Sequence, residues 1–332
     1  MKRVALSLVL AAGMAASSAM AADMATKAPP APPAAAPSPW DVAITAGLMT
    51  DYNFRGVTQS AHQPSAQAGF EPRYNFNSSW QGYVGISGES IDFPNRAAAE
   101  IDFYGGIRPT FDKLALDFGI WYYWYPGGEC FSNGNIPCSP PGTFVPGGLP
   151  LPNGNIVKSN VSFYEWYAKA TYTVNDNLSL GGQFYYSPSV LNSGAPGEYY
   201  TGNITLTAPT SWFTNGVGAY ASGDIGYWAL GTTDRFYGNT VVGNPYRFNT
   251  PLPSYTTWDA GIGFTWKAFT LDLRYYDTNL TKAQCNVFTG DQTAAFSASS
   301  VTTLNPGGLG SNWCSAAYIA KLSFATNLSG LK

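Results

Sequence analysis

From residue 41 onward the chain places apolar residues at every second position, in segment after segment of about ten residues. In "DVAITAGLMTDYNF", Val42, Ile44, Ala46, Leu48 and Tyr52 fall on one face, and Thr45, Met49, Asp51 and Asn53 on the other. In "AEIDFYGGIRP", Ile101, Phe103 and Ile107 oppose Glu100, Asp102, Tyr104 and Arg108. The segment "LALDFGIWYYWYP" sets Leu114, Leu116, Phe118 and Ile120 against Asp117, and "FTLDLRYYDT" sets Phe269, Leu271, Leu273 and Tyr275 against Asp272, Arg274 and Tyr276. Period-two alternation is a strand signal. A strand with one apolar and one charged face fits a soluble sandwich or a lipid-facing barrel.

Composition and loop lengths separate the two. Only 11% of the residues are charged, against about 25% in an average soluble domain. A long chain so poor in charge needs something other than water over its surface, and its 15% aromatic content argues against disorder. Connectors near 75–79, 111–113 and 175–177 are very short, whereas 127–160, 232–253 and 280–313 are long. That asymmetry is the mark of an outer-membrane barrel. Strands are expected near 41–54, 64–75, 80–91, 99–110, 114–126, 161–174, 178–189, 198–208, 216–230, 255–266, 269–279 and 315–325, with 210–216 the least secure connection. The fold class is therefore all-β, an antiparallel transmembrane β-barrel of about twelve strands spanning 41–332. Aromatics near strand ends, Trp80, the run Trp121 to Tyr125, Tyr227, Trp228 and Trp266, are expected to form interfacial girdles.

The opening "MKRVALSLVLAAGMAASSAMAADM" has Lys2 and Arg3, an apolar run and an A-x-A arrangement at Ala19 and Ala21, and reads as a Sec signal peptide over 1–21. Its apolar core is too short for a spanning helix, and no later segment supplies one. Residues 22–40, rich in Pro and Ala, read as an extended periplasmic linker. The net charge of -3 leaves no basic footprint for nucleic acid. Four cysteines in an exported chain point to disulfides, and local pairing, Cys130 with Cys138 and Cys285 with Cys314, is favoured among three connectivities because each pair staples one loop. The single His62 and the absence of C-x-x-C leave no recognisable metal-ligand spacing, and no cofactor is expected.

The run "YNFRGVTQSAHQPSAQAGFEPRYN" resembles the opening of the proteobacterial outer-membrane family catalogued as Gcw_chp, also called TorF-family porins. The segments "SFYEWYAKATYTVNDNLSLGGQFYYSPSVLNSGAPGEYYTGNITLTAP" and "WDAGIGFTWKAFTLDLRYYDTNLT" are similar to its central repeat and its C-terminal hairpin. The resemblance implies an outer-membrane barrel of the porin kind, and carries over no catalytic residue. The loops 127–160 and 280–313 look longer than usual in that family. The chain also ends "SFATNLSGLK" rather than in a terminal aromatic, with Phe324 the nearest substitute.

By alternation, Asp51, Arg55, Glu71, Arg73, Glu89, Glu100, Asp102, Arg108, Asp117, Glu165, Lys169, Asp224, Asp259, Lys267, Asp272, Arg274 and Lys321 point into the lumen, with Tyr104, Gln183 and Tyr220. The functional expectation is a narrow water-filled channel passing small hydrophilic solutes or ions. Its rival is a lumen filled by charges paired across strands, in a non-conducting barrel that presents its loops. A third reading, an outer-membrane hydrolase, rests on His62 with Ser60 and Ser65 nearby in sequence, which is a weak signal. The chain is expected to be a monomer or a weak homo-oligomer in outer-membrane lipid. In "YNFRGVTQS", Tyr52 and Phe54 are expected outward at the membrane interface, and Arg55 inward near the pore mouth.

Overall fold

The computed structural model describes residues 39–132, 138, 149–213, 215–240 and 247–328. The expected signal segment 1–21 and the expected linker as far as residue 38 lie outside the described residues, and Trp40, expected to end that linker, already begins the first strand. Twelve antiparallel strands close into one barrel: β1 Trp40–Met49, β2 Ser65–Asn75, β3 Trp80–Glu89, β4 Glu100–Phe111, β5 Leu114–Trp124 and β6 Phe163–Asn175, then β7 Leu178–Ser187, β8 Gly197–Thr207, β9 Val217–Leu230, β10 Tyr255–Trp266, β11 Phe269–Thr278 and β12 Ala317–Asn327. Each strand pairs with its neighbour in sequence. The ring closes where β1 meets β12, from Ala43 opposite Asn327 to Met49 opposite Lys321. Closure leaves no sheet edge, which is what a bilayer demands of strands.

Short turns join strands at one end, with 208–216 the longest among them, while the other end carries all the long connections and the one α-helix of the described residues, α1 Lys282–Thr289. The outer wall is apolar over its height: Leu48, Val84, Phe103, Ile107, Phe118, Ile204, Ile225, Ile262 and Leu273 are all exposed. This is a lipid-facing surface, inverted relative to a soluble protein. Exposed aromatics form a belt at each end, Trp40, Phe76, Trp80, Phe111 and Trp266 by the short turns, and Tyr122, Trp124, Trp166, Tyr186, Tyr227 and Tyr318 by the long loops.

Strand alternation corrects the expected girdle. Tyr122 and Trp124 face out, but Trp121, Tyr123 and Tyr125 are buried inside, as is Trp228 beside the outward Tyr227. They join an inward cluster with Tyr167, Tyr185, Tyr199 and Tyr255 toward the long-loop end of the barrel. Inward tyrosines lie flat across glycines of the neighbouring strand. Tyr104 stands opposite Gly85 and Tyr220 opposite Gly263, and a Cβ on either glycine would overlap the tyrosine ring.

Both disulfides pair locally, Cys130 with Cys138 and Cys285 with Cys314. The second ties α1 to the segment entering β12. In the loop 127–160, Phe131 and Val157 exchange backbone hydrogen bonds at 2.9 Å, and Leu151 and Val157 are buried, so its described part packs as a structured cap.

Candidate functional site

The first strand stops at Met49, five residues short of the expected Phe54, because the chain turns into the barrel. Asn53–Phe54 pairs with Val57–Thr58, leaving Arg55 and Gly56 as a two-residue hairpin loop. Both have positive φ, 51° and 79°, the pattern of the primed turns that suit the twist of a hairpin. Glycine is required at the second position, since a Cβ there would strike Thr257 and Thr278. The Asn53 side chain accepts the Gly56 N–H at 2.9 Å and fixes the turn.

This hairpin carries Arg55 to the middle of the inward aromatic cluster. Its guanidinium donates to both Glu165 oxygens, at 2.8 and 2.7 Å, and neither side chain is more than 5% exposed. Four rings surround it, Phe54, Tyr185, Tyr199 and Trp228, with centroids 4.6, 4.8, 4.2 and 4.4 Å from Cζ. The Tyr123 hydroxyl donates to Glu165 Oε2 at 3.1 Å, and the Tyr255 hydroxyl to the Arg55 carbonyl at 2.9 Å. The geometry is a two-point charge pair inside a cation–π cage. Tyr52 and Phe54 therefore point inward rather than to the interface: the Tyr52 hydroxyl donates to Glu100 at 2.6 Å, and Phe54 lies edge-on to Tyr123 and Trp228.

At the base of the hairpin Asp51 accepts from Thr58 Oγ1 at 2.5 Å and Ser60 Oγ at 3.0 Å, and lies 2.8 Å from His62 Nδ1. His62 Nε2 lies 3.1 Å from the Asn312 carbonyl, so both ring nitrogens face acceptors and the imidazolium satisfies both. The Asp51 hydrogen bond raises the pKa of His62 above its ordinary value. Ser60 bonds to Asp51, not to His62 Nε2, and Ser65 Oγ donates to the Ser90 carbonyl at 2.7 Å. Asp51, Ser60 and His62 meet as a staple between the first loop and the 312 region, with Ser65 apart from them and without the hydroxyl-to-Nε2 contact of a hydrolase triad.

The hairpin divides the interior into two chambers of similar size that differ in charge. The chamber toward the short turns has a volume of about 390 Å³ and is lined by Asp51, Arg55, Glu89, Asp102, Asp224, Asp259, Lys267, Asp272, Arg274 and Lys321 among others. The chamber under the long loops has a volume of about 400 Å³, and no charged side chain lines it among the described residues.

The remaining charges sit on the inner wall in three groups. Arg108 donates to Glu71 at 2.7 and 3.0 Å and to Asp117 at 3.2 Å, Arg73 donates to Glu71 at 2.6 Å, and Arg108 lies 3.5 Å above the Tyr83 ring. Across the barrel Arg274 donates to Asp259 at 2.5 Å and to both Asp272 oxygens at 3.0 Å, while Tyr220 donates to Asp272 at 2.6 Å and Asp224 accepts from Thr201. Glu89, Glu100 and Asp102 bring one oxygen each within 4.8 Å of one another, a set able to hold a hard cation, although Glu100 already accepts from Tyr52 and Tyr125. Lys321 donates to Gln67 at 2.9 Å, and Lys169 lies 4.6 Å from the Tyr167 ring. Lys267 stands at the rim of the lower chamber rather than on a strand: it occupies the two-residue turn between β10 and β11, exposed, with Nζ 4.5 Å from the Trp266 ring. Tyr104 stacks on Trp121 at 4.0 Å, and Gln183 accepts from Tyr185 at 2.8 Å.

The model of a family described as a bacterial protein of unknown function, Gcw_chp, matches residues 33–136. That stretch contains the hairpin and the first five strands. No curated protein matches the chain in sequence. Solved structures similar to it include OmpT, an outer membrane protein of Vibrio cholerae, at 11% identity and TM-score 0.34, covering 87% of this chain and 98% of that one. LpxR from Salmonella typhimurium aligns at 7% identity and TM-score 0.38 over 85% and 99% of the two chains. A Pseudomonas aeruginosa FadL homologue aligns at 11% and 0.37 over 87% and 89%. Each is a distant likeness.

Proposed function

We propose that this chain is a channel of the Gram-negative outer membrane, passing small solutes through a lumen that the Asn53–Thr58 hairpin closes in the present conformation. The single observation that carries the reading is the hairpin itself, a short inward element separating two chambers inside one continuous barrel. The apolar outer wall and the aromatic belts support membrane insertion, and the long loops belong outside the cell. The charged inner wall supports passage of hydrophilic solutes or ions through the lower chamber, with Arg55 as the element that blocks it.

Planar-bilayer recording tests this directly. The native chain is expected to conduct little, and a variant with residues 53–58 replaced by a Gly/Ser linker of equal length to conduct well. A variant that folds, judged by heat-modifiable migration on gels, yet stays silent would refute the channel. A non-conducting, loop-presenting barrel would then stand, which the apolar cluster under the long loops favours.

A further inference from the structure

The chamber beneath the long loops differs from the one below it in having no charged side chain on its lining among the described residues. It is lined by Phe54, Phe93, Val161, Phe163, Val190 and Trp313, and by Trp228 with Phe288 packed edge-on against it at 5.4 Å between ring centroids. The Cys285–Cys314 disulfide ties two of these lining segments together, since Phe288 follows Cys285 on α1 and Trp313 precedes Cys314. The polar side chains that share the lining are neutral hydroxyls and amides, among them Asn155 and Asn286, which hydrogen-bond to each other at 2.8 Å. Protein interiors close down voids of this size. A mostly apolar space of about 400 Å³ with a few neutral polar groups instead falls within the range of small-molecule sites, roughly 300–1,000 Å³.

We propose that this chamber is a binding site for one uncharged, mainly aromatic or aliphatic small molecule. A charged solute would leave water here with no counter-charge among the described lining residues to receive it, a penalty that an uncharged ring does not meet. Aromatic walls on several sides give such a ring stacking and edge contacts. The site stands apart from the channel reading, because occupancy is measured without any current.

The test is isothermal titration of the chain in lipid nanodiscs, with empty nanodiscs as the blank, using 1-naphthol as the neutral probe and 1-naphthoate as its charged counterpart. One saturable site for 1-naphthol is expected, with 1-naphthoate binding at least tenfold more weakly. Leu304→Trp and Val287→Trp each fill the chamber from a partly exposed position on its lining, so the fold is expected to survive. Each is expected to weaken 1-naphthol at least tenfold while heat-modifiable migration is unchanged. Equal binding of the two probes, no saturable binding, or binding that neither filled variant weakens would overturn the proposal. Conductance of the hairpin variant is scored separately, so the failure of either reading is recognisable.

Discussion

Removing the Arg55 side chain is the sharpest perturbation of the hairpin. Arg55→Ala leaves Glu165, a carboxylate with 0% exposure, facing only the Tyr123 hydroxyl where it had two charge-assisted bonds. Breaking a buried pair by deleting one partner costs about 3–5 kcal/mol. At about 1.4 kcal/mol per decade, the low end is a shift of roughly 150-fold in the equilibrium between docked and released hairpin. The loss of four ring contacts adds to this, while the Tyr255 bond to the Arg55 carbonyl and the Thr58 N–H bond to Trp313 remain. Hydrogen exchange of the segment 52–60 reads the effect, because the Gln59 N–H is held by the Tyr52 carbonyl. Exchange at Gln59 should accelerate at least a hundredfold, and Arg55→Lys should fall between, having charge but no fork. The double variant Arg55→Ala with Glu165→Ala should recover part of the loss, since removing both partners strands no charge. Unchanged exchange in Arg55→Ala would refute the view that this pair holds the hairpin down.

The His62 staple gives a signed pH dependence. Its pKa is raised by the Asp51 hydrogen bond, so the stabilisation is fully present below the ordinary value of 6.5 and is lost as pH rises through the folded pKa. The protection factors of the 58–63 amides, which divide out the base-catalysed intrinsic rate, should therefore fall on going to alkaline pH, and His62→Ala should remove that fall; an identical protection profile in the variant would count against it. Opening Cys285–Cys314, whose partners are 29 residues apart, should cost about 3.6 kcal/mol by loop entropy, against about 2.5 kcal/mol for Cys130–Cys138 with a separation of 8. Cys285→Ser with Cys314→Ser should lower the thermal midpoint more than the corresponding pair of changes at 130 and 138. Gly263→Val sets a branched side chain against Tyr220, so refolding yield should drop sharply, and Tyr220→Ala in the same chain should restore part of it. Yields unmoved by Gly263→Val would show that the Tyr220 ring is free to shift.

The barrel was legible because lipid enforces alternation on every strand. Expected and observed ends agree within about three residues for eleven of the twelve strands, and β10 at 255–266 agrees at both ends. The exception is instructive: alternation continues past Met49 through Tyr52 and Phe54, but there it belongs to a hairpin folded inside. Its signal was present as Arg55-Gly56 between two short alternating pairs, the pattern of a two-residue turn. The Trp121 to Tyr125 run looks like a girdle by composition, although the same alternation divides it between lipid and lumen. The Gly–Tyr pairs and the uncharged chamber depend on register and on loops far apart in sequence, which no local pattern reveals.

The seam between β1 and β12 joins the two ends of the described chain, with Ala43 opposite Asn327 and Met49 opposite Lys321. Hairpins such as β4 with β5 bring together residues only a few positions apart at the turn, whereas the seam must wait for nearly the whole chain. Until then β1 and β12 are open edges, ready to pair with any strand nearby. The assembling molecule therefore needs its first and last strands held apart from other chains until they meet, and a slow final step in folding is built into the topology.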